Sequence, residues 1–183
     1  GDVDYFQNGE KLYSKFCLES LISGVDLSYL KIVVDCANGA TYRVAPSIFR
    51  QYGSDVTTLG ISPNGYNINR LVGSTYPSAL QKAVVELSAD VGIAFDGDGD
   101  RVVMVDRKGG LLDGDDLLFV IANHYFRSGR LNGGVVGTQM SNLGLEQAIR
   151  SRGIGFERTR IGDRFVMERL EEKNWILGGE SSG

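Results

Sequence analysis

The chain has 183 residues, 42% of them hydrophobic and 23% charged, and carries a formal net charge of −4. That length buries a substantial core in one large or two small domains, and an acidic balance without a basic stripe argues against nucleic acid as a partner. The longest apolar run, Leu117 to Ala122, is too short to cross a bilayer, and Cys17 and Cys36 lack CxxC spacing, so no membrane span, no disulfide framework and a reducing, cytoplasmic compartment are expected.

In chain order, residues 9–22 place Leu12, Phe16, Leu18 and Leu21 near helical spacing, with Gly24 as a stop. Lys31–Asp35 reads as a short buried strand, because its β-branched residues run together without alternation. A helix is predicted from Tyr42 to Tyr52, then a second strand over Asp55–Leu59. Ser62 to Asn69 is a turn-rich loop, followed by a helix from about Pro77 to Leu87 with Leu80, Val84 and Leu87 on one face. Val91–Phe95 and Val102–Asp106 are strands on either side of an aspartate-rich loop. Asp113-Gly114-Asp115 then caps a helix through Phe126, with Gly129 just past its end. Apolar residues from Leu117 to Ile121 predict that this helix is largely buried. The alternation continues with strand Gly134–Thr138, helix Leu143 to Ser151, a short strand near Ile154–Phe156, helix Asp163–Glu172 and strand Trp175–Leu177. Strands alternating with helices predict an α/β fold of two successive three-layer α/β/α domains with mainly parallel mixed sheets, divided near Leu112.

The loop Asp96-Gly97-Asp98-Gly99-Asp100-Arg101 carries the chemistry. Two carboxylates ~4–5 Å apart repel by roughly 3–4 kcal/mol at an effective dielectric of ~20, so three in register call for a cation among them. Glycines let the backbone coil until the side chains converge, and hard oxygen donors suit Mg²⁺, Ca²⁺ or Mn²⁺ rather than zinc. An EF-hand fails on spacing: Arg101 stands where Gly is required and Arg107 where a bidentate Glu is required. The plain alternative is a solvated polar turn. Arg101 either neutralises the loop or grips a phosphate beside the metal.

This loop resembles the metal loop of the α-D-phosphohexomutase superfamily. The flanking segments resemble its bacterial phosphoglucosamine mutase family: Asp35-Cys36-Ala37-Asn38-Gly39-Ala40, Asn64-Gly65-Tyr66-Asn67-Ile68-Asn69, Gly73-Ser74-Thr75, residues 137–144 (GTQMSNLG) and Ile161-Gly162-Asp163-Arg164. The resemblance implies an Mg²⁺-dependent isomerase that interconverts glucosamine 6-phosphate and glucosamine 1-phosphate through a phosphoserine and a bisphosphate, feeding amino-sugar and cell-wall precursor synthesis. It implies Asp96, Asp98 and Asp100 as metal ligands and Arg101 as a catalytic residue. Glu180 and Ser182 would be sugar ligands, with Asp163 and Arg164 in a substrate-facing loop, although a helix-capping Asp beside a surface Arg is a second reading of that pair. The partner is a small hexosamine phosphate; a homo-oligomer is compatible with the sequence.

The chain also departs from the family. Ser181 stands where Gln is usual, and neither a Ser-His-Asn-Pro phosphoserine loop nor an Arg-x-Ser-Gly-Thr phosphate clamp is present. By resemblance, residues 1–22 are the helical tail of a missing first domain, 23–112 the metal-loop domain and 113–183 an incomplete sugar-binding domain. A first residue that is not Met and an end inside a Gly-rich loop agree with a fragment, and the chain alone is expected to be inactive. Two competing readings are a haloacid-dehalogenase-type phosphatase, from Asp98-Gly99-Asp100, and a non-catalytic domain that the metal merely stabilises. His124 belongs to no motif and reads as structural; Cys36 reads as packing.

Overall fold

The computed structural model describes residue 4 and residues 6–20 and 25–182. The end of the first predicted helix and its stop at Gly24 lie outside the described residues. The chain separates into two compact units, Gly1–Leu111 and Leu112–Gly183.

In the first unit, β1 (Lys31–Asp35) is buried on both faces, with Ile32 and Val34 turned to one layer and Val33 to the other. It is flanked by two parallel strands, β2 (Asp55–Leu59) and β3 (Val91–Phe95), in a register that sets Ile32 opposite both Val56 and Val91. β4 (Val102–Asp106) returns antiparallel along β3, and β5 (Leu111–Leu112) completes the order β2-β1-β3-β4-β5. Parallel neighbours need crossover helices, and these form the outer layers. α2 (Val44–Gln51) lays Ala45 and Phe49 on Ile32, Val34 and Cys36, while α3 (Ser78–Glu86) lays Leu80 and Val84 on Val33, Ala94 and Val105. α1 (Gly9–Ser20) packs on α2, where Arg43 Nη1 donates to Glu10 Oε1 at 2.9 Å and Tyr52 Oη to the Leu18 carbonyl at 2.9 Å.

The second unit repeats the plan on a smaller scale. β6 (Val135–Thr138) lies between two parallel strands, β7 (Phe156–Thr159) and β8 (Leu177–Gly178). α4 (Gly114–Arg127) and α5 (Leu143–Arg150) share one core with that sheet, built from Leu118, Ala122, Val135, Leu145, Ile149, Ile154 and Phe156. α6 (Asp163–Lys173) covers the other face so closely that a Cβ at Gly178 would lie 2.7 Å from Val166 Cγ1. Among the described residues, no helix is long and apolar enough to cross a membrane.

Several expectations need correction. α4 is not largely buried: Val120 is 60% exposed and Ile121 43%, and His124 is exposed as well. A helix over a three-stranded sheet has one stripe to bury, and in α4 Leu118 and Ala122 supply its apolar part. β7 begins at Phe156 rather than Ile154, because its polar residues Glu157-Arg158-Thr159 pair with β6 along the sheet edge. β8 is shifted to Leu177–Gly178, and β5 was not foreseen. The helix predicted from Tyr42 breaks into a 3-10 turn (Ala40–Tyr42) and α2, whose Pro46 sits in the first turn, where its missing N–H does no harm.

Candidate functional site

The parallel strands β1, β2 and β3 end on one edge of the first sheet. Because the chain runs from β1 out to β2 and back across to β3, the gap between β1 and β3 is the switch point where open α/β sheets bind ligands. Two loops fill it. Asp35, fully buried at the end of β1, accepts Ala37 N through Oδ1 at 3.0 Å and Gly73 N through Oδ2 at 2.8 Å, bracketing the residue 36–40 loop and the Gly73-Ser74 turn. Ala40 N donates to the Gly97 carbonyl at 2.8 Å, and Ser74 N to the Phe95 carbonyl at 2.8 Å. The loops meet so tightly at Gly39 that an added Cβ would overlap the Gly97 carbonyl oxygen.

On this base the aspartates converge. Asp96, Asp98 and Asp100 each offer one carboxylate oxygen, all within 4.8 Å of one another. Asp96 is buried and accepts Gly99 N at 3.1 Å and Arg101 N at 3.2 Å through Oδ1, so it doubles as the pin of the loop. Gly99 takes φ +81°, the left-handed conformation that brings the next aspartate round. Partial loss of water and repulsion from Asp96 and Asp98 hold the Asp100 carboxyl above its ordinary range, with Arg101 pulling the other way. Such a site favours any hard cation that screens the three charges, and the donor set fits one. Arg101 Nε stands 3.9 Å from both Asp96 Oδ2 and Asp100 Oδ1, at the limit of ion pairing, with its side chain 57% exposed. β3, not a helix, precedes the loop, in keeping with the rejection of an EF-hand. Burial pushes the nearby Cys36 thiol up to about 11, which leaves it an inert packing group.

The C-terminal edge of the second sheet gathers the other candidates. Glu180 Oε1 accepts Gly162 N at 2.8 Å, joining the Gly178–Ser182 segment to the segment Ile161 to Arg164, which the sequence presented as separate motifs. Asp163 is the first residue of α6 rather than its cap; Gly162 holds the cap position, and Asp163 Oδ1 accepts Arg164 N at 2.7 Å. Arg164 Nε donates to Glu168 at 2.8 Å and is 81% exposed; Ser182 is exposed. His124 lies on α4 and contacts Arg130, in neither cluster. Sequence reasoning passed over two buried carboxylates. In the sequence Asp35 reads as a strand end that opens a family segment, with no tethering role, and Asp115, 2% exposed, reads as part of a cap; the Asp115 Oδ2 accepts Asn142 N at 2.7 Å. A third aspartate in a cap that needs only two was the available signal for Asp115.

Comparison with known proteins identifies the family of this fold. Residues 11–110 match the family described as Phosphoglucomutase/phosphomannomutase, alpha/beta/alpha domain II, and residues 113–183 match its alpha/beta/alpha domain III. Proteins named phosphoglucosamine mutase from Methylobacillus flagellatus and Pseudomonas aeruginosa are each 56% identical over 183 residues, covering 100% of this chain and 40% and 41% of theirs. The chain thus spans about 40% of the length of these relatives. A crystal structure of a phosphoglucomutase/phosphomannomutase family protein from Burkholderia thailandensis superposes with a TM-score of 0.78 at 26% identity, covering 95% of this chain and 38% of that one. Two matched domains in the family's own order, both with the α/β/α layers seen here, establish that the chain belongs to the phosphoglucomutase/phosphomannomutase family.

Proposed function

We propose that the chain supplies the metal-binding and sugar-binding units of a phosphoglucosamine mutase, which interconverts glucosamine 6-phosphate and glucosamine 1-phosphate. The observation that carries this reading is the convergence of Asp96, Asp98 and Asp100 at a switch point, in a chain 56% identical throughout to proteins of that name. The three aspartates would hold Mg²⁺, which when bound supplies positive charge for phosphoryl transfer. Arg101, loosely paired and over half exposed, presents a guanidinium to a phosphate beside the loop. Glu180 and Ser182 accept and donate to sugar hydroxyls, while the Gly162 N–H holds the Glu180 carboxylate in place. Asp163 and Arg164 begin the adjoining helix on the same edge and border the bound sugar phosphate. The nucleophile is a phosphoserine on a segment outside these 183 residues, so the chain by itself turns over no substrate.

The test assays glucosamine 6-phosphate isomerisation by a longer protein that carries this chain. Asp98→Ala is expected to lower kcat/KM by about 10³ or more, since metal-assisted charge stabilisation contributes several kcal/mol. Activity within a few-fold of wild type would make the loop a mere turn. The family match disfavours the haloacid-dehalogenase reading, and the position of the phosphoryl group decides it chemically: phosphate on a serine is expected, and phosphate trapped on Asp98 would reverse the assignment.

A further inference from the structure

The order β7-β6-β8 puts the second sheet's switch point between β6 and β8. Residues 139–142 leave the end of β6 and residues 179–182 the end of β8, so these two loops are the walls of any ligand crevice there. Both are fastened to the first turn of α4. Gly114 N donates to the Ser181 carbonyl at 3.0 Å, and the next residue, Asp115, accepts Asn142 N at 2.7 Å.

Helix capping does not explain Asp115. The Asp113 side chain accepts Asp115 N and Asp116 N, and Asp116 accepts Asp113 N in return, so the capping box is complete without the Asp115 carboxylate. That carboxylate is 2% exposed, and its Oδ1 is buried with no hydrogen-bond partner among the described residues. A buried charge with one idle oxygen opposes folding, and a neutral side chain would pack there at less cost. What the carboxylate does accomplish is local. The loop it holds is otherwise braced by the sheet: at the end of β6 Thr138 N donates to Ser141 Oγ at 3.1 Å, and on β7 Arg158 Nη1 donates to the Ser141 carbonyl at 2.6 Å. Asn142 itself caps α5 by accepting Leu145 N at 2.7 Å, so one residue is gripped by α4 through its backbone and grips α5 through its side chain.

We propose that Asp115 is a positioning residue which, together with the Gly114–Ser181 bond, fixes residues 139–142 against residues 179–182 and so sets the width of the sugar-binding crevice. The proposal rests on the reading of Glu180 and Ser182 as sugar ligands. It acts through backbone placement, without contact between Asp115 and substrate.

The test compares wild type, Asp115→Ala and Asp115→Asn in a longer mutase that carries this chain, by steady-state kinetics and by hydrogen exchange. Asp115→Ala is expected to raise KM for glucosamine 6-phosphate about tenfold and to speed exchange at Ser141 and Asn142 by a similar factor, with residues 31–106 unaffected. Asp115→Asn keeps an acceptor for Asn142 N and is expected to hold KM within about threefold of wild type. Wild-type KM and exchange in Asp115→Ala would overturn the proposal, as would an asparagine variant no better than alanine. If the alanine variant does not fold, Asp115→Asn decides alone: slow exchange at Asn142 with near wild-type KM upholds it, and fast exchange overturns it. A wild-type enzyme that accepts no hexose phosphate would sink the functional reading, and the exchange measurements would still decide whether Asp115 holds the loop.

Discussion

Gly39 lacks a side chain because the Gly97 carbonyl takes the space a Cβ would need, and the same carbonyl accepts Ala40 N at 2.8 Å. Its φ of −111° suits any residue, so the constraint is room and not backbone strain. Gly39→Ala should therefore push the aspartate loop away from β1, lowering stability by about 1–3 kcal/mol, as overpacking of a tight contact does. Urea denaturation with and without Mg²⁺ checks it: both a lower midpoint and a smaller response to metal are expected. At this scale the sequence was legible where chemistry is local. Asp96, Asp98 and Asp100 are close in space because they are close in the chain. Asp35 and Asp115 were illegible as tethers because their partners, Gly73 and Asn142, lie 38 and 27 residues away.

Among elements, the four main strands of the first sheet were readable to the residue, as short β-branched or apolar runs between turn signals, although only β1 and β3 are buried through most of their length. The edge strand β7 was not, because Glu157 and Arg158 spend their side chains on neighbours. Glu157 pairs with Lys173 at 2.6 Å and Arg169 at 3.5 Å on α6, and Arg158 reaches the Ser141 carbonyl. Ile154, predicted as strand, is buried as a core residue ahead of it. α4 shows the converse error: apolar residues in sequence exceed the stripe that the fold covers. Leu118→Ala, in the shared core with Leu145 and Ile149, should cost about 2–5 kcal/mol, whereas Val120→Ala should change stability by less than about 1 kcal/mol. Denaturant midpoints of the two variants separate these expectations; equal losses would mean that the outer face of α4 is covered.

For the molecule as a whole, a chain of net charge −4 concentrates three carboxylates at one sheet edge, and pH and metal must act on them together. A carboxyl whose value is raised in the folded state, as for Asp100, contributes stability at low pH that disappears as pH rises through that value. Groups held down by backbone N–H donors behave oppositely. Asp106, bonded by Gly110 N and Lys108 N, and Asp90, bonded by Lys31 N, contribute stability above the ordinary carboxylate range and lose it as pH falls through their lowered values. Without metal, the loop therefore weakens the fold at neutral pH while the tethered aspartates support it. Mg²⁺ binding to the folded chain should offset the loop's penalty, stabilising the fold by about 2.7 kcal/mol in all at a concentration of ~100 times its Kd. Protons compete for the same oxygens, so the increment should be largest near neutrality and shrink through a range above that of an unperturbed aspartate. Melting curves at several pH values, with and without Mg²⁺, measure it. In Asp98→Asn the increment should vanish at every pH, while the metal-free form melts at or above the wild-type temperature, because one of three repelling charges is gone. An increment that persists in that variant would move the cation away from the aspartate loop, and one independent of pH would mean that the carboxylates do not bind it.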